Sequence, residues 1–246
     1  MKEKIYIFFA HTEFFGEFVR FLKYELEKRG EIVEITNDAS RNDGIWLLTY
    51  EDFLCQFDTA GKRYIAIQTE NHVKSSIRYE LWLQEAEHVW DYSTNLRIGY
   101  SEFWELEREE MKDIDILFFG TMNPKREETL RKIENVHIVD KVWGVELQRL
   151  IDRSKIVLSV HHYENSNNDM ARLASLIANR NFIVAEKWND ARYEELKDKF
   201  VIAEPEELNE VCQYFLANPL ERIRCVEKSY NWLKNEYKTE FPVRKE

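Results

Sequence analysis

The stretch "KIVLSVHHYENSNNDMARLASLIAN", residues 155–179, decides the fold, because its pattern changes halfway along. Its first six residues form the apolar, β-branched run of a buried strand, and residues 169–179 place apolar side chains at helical spacing. A polar segment rich in histidine, asparagine and carboxylates lies at the junction. A buried strand that leads directly into a helix is typical of a parallel sheet covered by helices.

The same alternation recurs along the chain. In the first half it predicts helices at 13–30 and 75–86, and strands at 4–10, 31–36, 44–49, 63–69 and 88–93. In the second half, with helices between them, it predicts strands at 113–120, 136–140, 155–160, 181–186 and 200–204. A last helical pattern at 219–237 has no strand after it. We therefore predict an α/β protein with two parallel-sheet domains, and a single doubly wound sheet is the competing architecture.

Composition excludes several classes of protein. Among the 246 residues, 44% are hydrophobic and 33% charged, which is typical of a globular chain. The apolar runs are far shorter than the roughly 20 residues of a membrane helix, and no signal pattern precedes them, so we expect a cytoplasmic protein without a membrane span. A net charge of -11 argues against nonspecific binding to nucleic acid, although a local basic site would be compatible with it. The three cysteines form no CxxC pair and suggest reduced thiols.

The histidines of the quoted stretch raise the question of a metal site. His161, His162 and Glu164 are chemically capable ligands. Adjacent histidines on an extended segment point to opposite faces, however, and no HExxH pattern brings a second imidazole to the same side. The spacing therefore disfavours a metal.

An anion suits the same stretch better. Asn167 or Asn168 would cap the following helix, whose free N–H groups and positive dipole end favour an anion, and Arg172 would add a bidentate donor. The plainer alternative is that Asn168 only caps the helix, Asp169 offsets its dipole and Arg172 pairs with a neighbouring acid. Both interpretations stay open from these residues alone.

A second stretch, "FFGTMNPKR" at residues 118–126, has a similar character. Gly120 permits close backbone approach at a strand end, Pro124 suits a first helical turn, and Lys125 and Arg126 bring positive charge. The alternative is an ordinary turn with exposed basic residues. The chain contains no GxGxxG and no GxxxxGK[ST] motif to support a dinucleotide or Walker-type site.

Polar side chains also follow predicted strands in the first half. His11, Glu13, Glu70 and His72 all come at strand ends of one predicted sheet. A histidine or carboxylate there could act as a general base. Each of them taken alone is better explained as an ordinary loop residue with satisfied hydrogen bonds.

Five segments in a fixed order resemble the GT-B glycosyltransferases, and more narrowly the bacterial and viral group related to spore-maturation-type, family 1-like enzymes. They are "IAIQTEN", "VWDYSTN", "DIDILFFGTMNPKR", "GVELQRLIDRSKIVLSVHHYEN" and "NDMARLASLIANRNFIVAEK". The resemblance covers residues 60–235 and is strongest from 113 to 187. It implies a compact pair of Rossmann-like domains that face each other across a cleft.

The domain division follows from combining the pattern with the resemblance. We expect residues 1–110 to form a Rossmann-like domain, which the resemblance implies binds the acceptor, and residues 111–218 to form a second one, which it implies binds the nucleotide sugar. In residues 219–246 we expect a helix that crosses back to the first domain. The charged segment 99–113 between the two series is expected to be a surface connection.

The resemblance also implies a reaction and a set of residues. The reaction is transfer of a sugar from a nucleotide-diphosphate sugar to a hydroxyl of a glycan, a small molecule or a modified base, without a metal or other cofactor. The implied donor residues are Gly120, Asn123, Lys125, Arg126, His161, Tyr163, Glu164, Asn168, Asp169 and Arg172. An inverting reaction would need a base, for which we name His11, Glu13 and Glu70.

The chain departs from the group's pattern at one point. Relatives often read "NIHYYE" and carry a glutamate three residues before the arginine, whereas this chain reads "SVHHYE" and has Asp169 in the acidic place. The identity of the donor is therefore open. The rival interpretations are a noncatalytic nucleotide-sugar-binding protein, a phage-type DNA-base glycosyltransferase, and an unrelated two-domain protein that closes on a small ligand.

Overall fold

The computed structural model describes residues 2–8, 13–68, 77–91, 93–106, 111–163 and 169–242. Across these ranges the chain forms ten strands and nine α-helices. It divides into two compact units, one of Met1–Arg97 with Thr239–Glu246 and one of Ile98–Lys238. Each unit contains one five-stranded parallel sheet. The predicted pair of parallel-sheet domains is thus confirmed, and the competing single sheet is wrong.

The first unit is built on a sheet of order β2-β1-β3-β4-β5. Its strands are β1 Lys4–Phe8, β2 Ile32–Thr36, β3 Gly44–Thr49, β4 Arg63–Gln68 and β5 His88–Asp91. Its helices are α1 Glu13–Lys28, α2 Tyr50–Leu54 and α3 Ile77–Glu85. All five strands were predicted. The apolar side chains of β3 and β4 are buried on both faces of the sheet, whereas the edge strand β2 leaves Ile32 exposed. The short helix α2 has too few residues to show a helical period.

The second unit contains a sheet of order β10-β9-β8-β6-β7. Its strands are β6 Ile114–Phe119, β7 Val136–Val139, β8 Ser154–Ser159, β9 Ile183–Glu186 and β10 Val201–Ala203. Its helices are α4 Pro124–Leu130, α5 Gly144–Arg153, α6 Met170–Ala178, α7 Tyr193–Leu196, α8 Leu208–Ala217 and α9 Pro219–Glu236. These five strands were predicted as well, and "KIVLSV" is β8 at the centre of the sheet.

Both sheets share one strand order, in which the first and third strands of each unit are neighbours. The chain therefore leaves β6 and β8 in opposite directions across the second sheet, which makes this pair its topological switch point. Residues Ile116 and Ile156 are paired in register, as are Phe118 and Leu158. In open parallel sheets, ligands bind outside the carboxyl ends of the strands at such a point. The two polar stretches of the sequence analysis lead out of these two strand ends.

The described part of segment 99–113 is not the surface connection that its charge suggested. Trp104 is buried inside the second unit, in a short 3-10 helix at residues 102–104. Its carbonyl oxygen accepts a 2.6 Å hydrogen bond from the side chain of Asn179, just after α6. Glu105 accepts a 2.7 Å hydrogen bond from Tyr230 of α9. Packing of the aromatic side chain outweighs the charge of its neighbours.

The end of the chain is shared between the units. Helix α9 packs against α6 and α8 of the second unit. The residues after Lys238 belong to the first unit, where Glu240 forms an antiparallel bridge with Arg97. None of the described helices is long and apolar enough to cross a membrane.

Candidate anion-binding site

The site lies at the carboxyl ends of three neighbouring strands of the second unit. Gly120 is the first residue after β6, His161 follows β8, and Glu186 is the last residue of β9. Because β8 lies between β6 and β9, the residues that follow these strands meet at one edge of the sheet. Three segments that are distant in sequence therefore converge there.

Three successive carbonyl groups after β8 are held by side chains at the start of α4. Nδ2 of Asn123 donates to the carbonyl oxygen of His162 at 2.5 Å, and Nζ of Lys125 donates to that of His161 at 3.3 Å. Nε of Arg126 donates to the carbonyl oxygen of Val160 at 3.0 Å. Asn123 also caps α4, since its Oδ1 accepts a 2.8 Å hydrogen bond from the N–H of Arg126. The residues predicted to contact donor phosphates thus also fix the main chain beside the site.

Glu186 ties the third strand end to the other two. Its buried carboxylate forms an ion pair with Lys125 and accepts a 2.8 Å hydrogen bond from the main-chain N–H of His161. Its carbonyl oxygen lies 2.9 Å from Nε2 of His161. A carbonyl only accepts, so this nitrogen carries the proton and the imidazole is held in one tautomer. Burial lowers the pKa of His161, which favours the neutral ring.

Among the described residues, Arg126 is a buried cation without a carboxylate partner. Only 6% of the residue is exposed, and its guanidinium donates to two main-chain oxygens, those of Val160 at 3.0 Å and Thr121 at 2.6 Å. Within the described ranges it forms no ion pair. Burial and the neighbouring charge of Arg172 lower its pKa to about 10, so it remains protonated at neutral pH.

Gly120 makes room for that guanidinium. Its φ of +143° lies in a region that L-residues avoid. A Cβ built there would lie 3.1 Å from NH1 of Arg126. The glycine after β6 therefore permits both the turn and the close approach.

The N-terminus of α6 completes the site. The structure places the N-cap at Asp169 rather than at Asn167 or Asn168, which lie outside the described residues. The Asp169 carboxylate forms no capping hydrogen bond with the described helix and instead pairs with Nε of Arg172 at 3.2 Å. That arginine also lies over the ring of Phe119, 4.9 Å from its centroid.

The charges of the described site residues do not cancel. Three cationic side chains face two carboxylates among these residues, and the lowered pKa of His161 favours its neutral ring, so one positive charge is in excess within the part of the site that the structure describes. The cations are Lys125, Arg126 and Arg172, and the carboxylates are Asp169 and Glu186. Because the excess charge accompanies a largely buried arginine, an anion would be stabilised here.

Of the other site residues predicted from the sequence, the structure describes only some. Tyr163 follows residues 160–162, whose carbonyl groups are bound by the start of α4, and its ring packs against that of His162 with centroids 4.5 Å apart. His11, Glu70, His72, Glu164 and Asn168 lie outside the described residues, as does the side chain of Glu13, where α1 begins. Their predicted roles stay predictions. Among the described residues, no three His, Cys, Asp or Glu side chains are grouped to hold a metal ion.

Sequence reasoning missed Glu186. It appears as the final letter of the apolar run "NFIVAE", with nothing beside it to suggest a function. The available signal was its position, because a carboxylate at the buried end of a central parallel strand needs a partner. Its partners lie 61 and 25 residues away in sequence, so a local pattern could not reveal them.

Comparison with protein families gives one match over the second unit. The model of a family described as "Glycosyl transferase-like" matches residues 102–241, more than half of the 246-residue chain. The matched range contains every described residue of the site. No curated protein is significantly similar to the chain in sequence.

Several solved structures share the fold. T4 phage β-glucosyltransferase matches with a TM-score of 0.57 and 9% identity, over 94% of each chain, and one of its structures holds UDP and Mn²⁺. An α-glucosyltransferase in complex with UDP and a 13-mer DNA matches with a TM-score of 0.56 and 10% identity, over 97% of this chain and 96% of that one. TarM matches with a TM-score of 0.51 and 11% identity, over 87% of this chain but only 54% of TarM. At these identities the likeness shows the GT-B fold.

Proposed function

The chain belongs to the glycosyl transferase-like family, and from this premise we propose that it transfers a sugar from a nucleotide-diphosphate sugar to a hydroxyl group of an acceptor. The donor's diphosphate binds at the carboxyl ends of β6 and β8. Residues 111–218 act as the donor domain, residues 1–110 hold the acceptor, and residues 219–246 return toward the first domain.

One observation carries this proposal: the buried Arg126 guanidinium has carbonyl groups but no carboxylate as partners among the described residues. A buried charge without a counter-charge is costly, whereas a bound phosphate supplies that counter-charge. Arginine is also the side chain best suited to phosphate, because its planar fork donates two parallel hydrogen bonds.

Two further features favour a diphosphate over a single carboxylate ligand. Helix α6 begins beside the site, and the N-terminal end of a helix carries a partial positive charge with free N–H groups. Arg172, one turn into that helix, extends the positive region beyond Arg126. A diphosphate has enough oxygen atoms to reach both arginines.

The reaction consists of one substitution at the anomeric carbon of the donor sugar. The acceptor oxygen forms a bond to this carbon, and the bond between the carbon and the phosphate oxygen breaks with its electron pair going to the nucleoside diphosphate. Arg126, Arg172 and the α6 N-terminus stabilise the charge of the leaving group. If the configuration is inverted, His11, Glu13 or Glu70 takes the acceptor proton, whereas in a retaining reaction the leaving diphosphate oxygen takes it and no such base is needed.

We propose further that no metal or other cofactor is needed. What supports this is the positive charge of Arg126 and Arg172, which can neutralise a diphosphate as a divalent ion does in metal-dependent enzymes. Transfer measured with EDTA and with added Mn²⁺ tests this point. Equal rates are expected, and a rate that depends on the metal would overturn metal independence without touching the donor site.

A thermal-shift screen against UDP-, GDP-, ADP- and TDP-sugars tests the function itself. A ligand that binds only the folded state raises the melting temperature by mass action, so at least one donor should raise it. Assays of donor hydrolysis and transfer then follow with that donor. Failure of every donor to shift the melting temperature would contradict the proposal, and binding without turnover over many acceptors would favour a noncatalytic binding protein.

A modified DNA base is a second candidate acceptor. The observation that favours it is the nearly full-length match to the α-glucosyltransferase that was solved with a 13-mer DNA. The net charge of -11 opposes it, since binding to duplex DNA depends on clustered basic residues. Tight, salt-sensitive binding to a duplex with hydroxymethylated bases would support this acceptor, and its absence would leave glycans and small molecules.

A further inference from the structure

We propose that Glu186 is a positioning residue of the donor site, whose negative charge holds Lys125 and the main chain at His161 in the geometry that receives the diphosphate. The inference rests on the proposed donor binding. It gives a task to a carboxylate whose side-chain partners among the described residues are Lys125 and the N–H of His161, and which by charge alone would oppose an anionic ligand.

The contacts of Glu186 explain how one carboxylate can hold three segments of the site together. Its Oε1 atom receives the ammonium group of Lys125 from α4, and its Oε2 atom accepts the N–H of His161 at 2.8 Å. The two oxygens therefore join the start of α4, the segment after β8 and the end of β9. The side chain is 5% exposed, so water cannot readily replace either partner.

The segment held by Glu186 leads directly toward α6. Residues 160–162 have all three carbonyl groups bound to α4 and its N-cap, and Glu186 at the end of β9 accepts the N–H of His161. Releasing this N–H and Lys125 would loosen the same segment from two sides. Residues 160–162, which lie beside the anion site, would then lose contacts to both α4 and β9.

Both partners of the carboxylate are donors, which makes the charge essential to the arrangement. A glutamine in this position has the same shape, but its amide nitrogen cannot accept a hydrogen bond. Either Lys125 or the N–H of His161 would consequently be left facing a donor. Glu186→Gln is thus a test of charge and acceptor capacity at nearly constant volume.

The two interpretations of Glu186 predict opposite results. If the carboxylate is only a nearby negative charge, its removal reduces repulsion and tightens binding of an anion. If it positions Lys125 and the segment after β8, its removal weakens binding. The direction of the change therefore decides, whatever its exact size.

The experiment measures binding of inorganic pyrophosphate and of UDP to the full chain by calorimetry. Glu186→Gln is compared with Glu204→Gln, which removes the partner of Lys187 from an exposed pair at the neighbouring β10 end. We expect an affinity about tenfold weaker for Glu186→Gln and an unchanged affinity for Glu204→Gln. Hydrogen exchange at residues 160–163 should become faster in the first variant only.

A double substitution tests whether Glu186 affects anion binding by holding Lys125. If Glu186 acts by holding Lys125, then adding Glu186→Gln to Lys125→Met weakens binding less than it does in the wild type. If the glutamine variant does not fold, Glu186→Asp replaces it, because the shorter carboxylate keeps the charge but cannot reach both donors. Weaker pyrophosphate binding by this variant is then the expected result.

The outcomes separate this inference from the function on which it rests. Equal or tighter binding by a folded Glu186→Gln, or failing that by Glu186→Asp, overturns the positioning role and leaves the donor site intact. Failure of the wild type to bind pyrophosphate, UDP or any nucleotide sugar overturns the proposed function, and the role of Glu186 with it.

Discussion

The Nε atom of Arg126 donates a 3.0 Å hydrogen bond to the carbonyl oxygen of Val160, and this bond joins the start of α4 to the end of β8. The same guanidinium donates from NH1 to Thr121 at 2.6 Å and lies 5.3 Å above the ring centroid of Phe118. A single buried arginine thus fixes the backbone on both sides of the switch point while it supplies charge to the site.

Replacing Arg126 by lysine keeps the charge but removes the planar fork. A lysine ammonium cannot reach both carbonyl oxygens in the same geometry, so one buried acceptor should lose its partner, at a cost of about 1–3 kcal/mol in the free energy of unfolding. We also expect binding of pyrophosphate to weaken by about tenfold. Urea unfolding and calorimetry measure the two effects.

The matched control for this change is Arg131→Lys, at the exposed C-terminal end of the same helix. It should alter neither quantity appreciably. Unchanged stability and binding in Arg126→Lys would show that charge alone, without the fork, accounts for the geometry of both strand ends.

Arg172→Ala should weaken nucleotide diphosphate binding far more than it weakens the fold. The side chain pairs with Asp169 at 3.2 Å in a partly exposed position, and such pairs contribute only about 0–1 kcal/mol to folding. A charged contact to a phosphate is worth more, and we expect the dissociation constant for UDP to rise by about 10- to 100-fold. Calorimetry and urea unfolding, compared in one buffer, check this contrast.

Arg180→Ala serves as its control, because Arg180 follows the opposite end of α6 and pairs with Glu227 at 3.4 Å. Binding of UDP should be unaffected by this change. A loss of affinity that is equal in the two variants would place the anion elsewhere.

Gly120→Ala should disturb the site through both strain and contact. The φ of +143° is unfavourable for alanine by about 1–3 kcal/mol, and the new methyl group would lie 3.1 Å from NH1 of Arg126. We expect lower stability together with weaker pyrophosphate binding.

Gly61→Ala is the control. Gly61 has a φ of +70° with no atom within 4 Å of its Cβ position, so stability should fall without a change in binding. Full affinity in Gly120→Ala would argue against a close fit at the guanidinium.

The strands were predictable because their signal is local. Stretches such as "GIWLLT" and "DIDILFFG" each contain four consecutive apolar residues, and burial on both faces of a parallel sheet requires only such a run. The alternation with helices then implied two parallel sheets, and the rule for strand ends pointed to Gly120 and His161. Strand ends were overextended by one or two residues, as at 88–93, where β5 stops at Asp91.

The interior of the site was less predictable because its interactions join distant residues. Lys125 and Arg126 were identified as cations, but their sequence does not show that one pairs with Glu186 and the other with two carbonyl groups. The cap of α6 was also placed too early, since Asn168 and Asp169 are both common N-cap residues and only the backbone geometry distinguishes them. The charge of segment 99–113 predicted a surface connection, which was wrong for its described part, where Trp104 packs inside the second unit.

The stability of the protein should fall in mild acid through His161. Burial lowers the pKa of this imidazole below its ordinary value of 6.5, and the carboxylates of Glu186 and Asp169 oppose the shift without cancelling it. The unfolded chain therefore takes up the proton first as the pH falls, so the contribution of His161 to stability is complete above pH 6.5 and is lost between 6.5 and the lower pKa of the folded state.

His161→Gln retains a side-chain N–H for the carbonyl of Glu186 but cannot titrate, so the free energy of unfolding of this variant should depend less steeply on pH in that window. Urea unfolding from pH 8 to pH 5 measures the difference, with His137→Gln on the exposed edge of β7 as the control that should follow the wild type. Parallel curves for the wild type and His161→Gln would show that the imidazole accepts a proton equally well in the folded and unfolded chains.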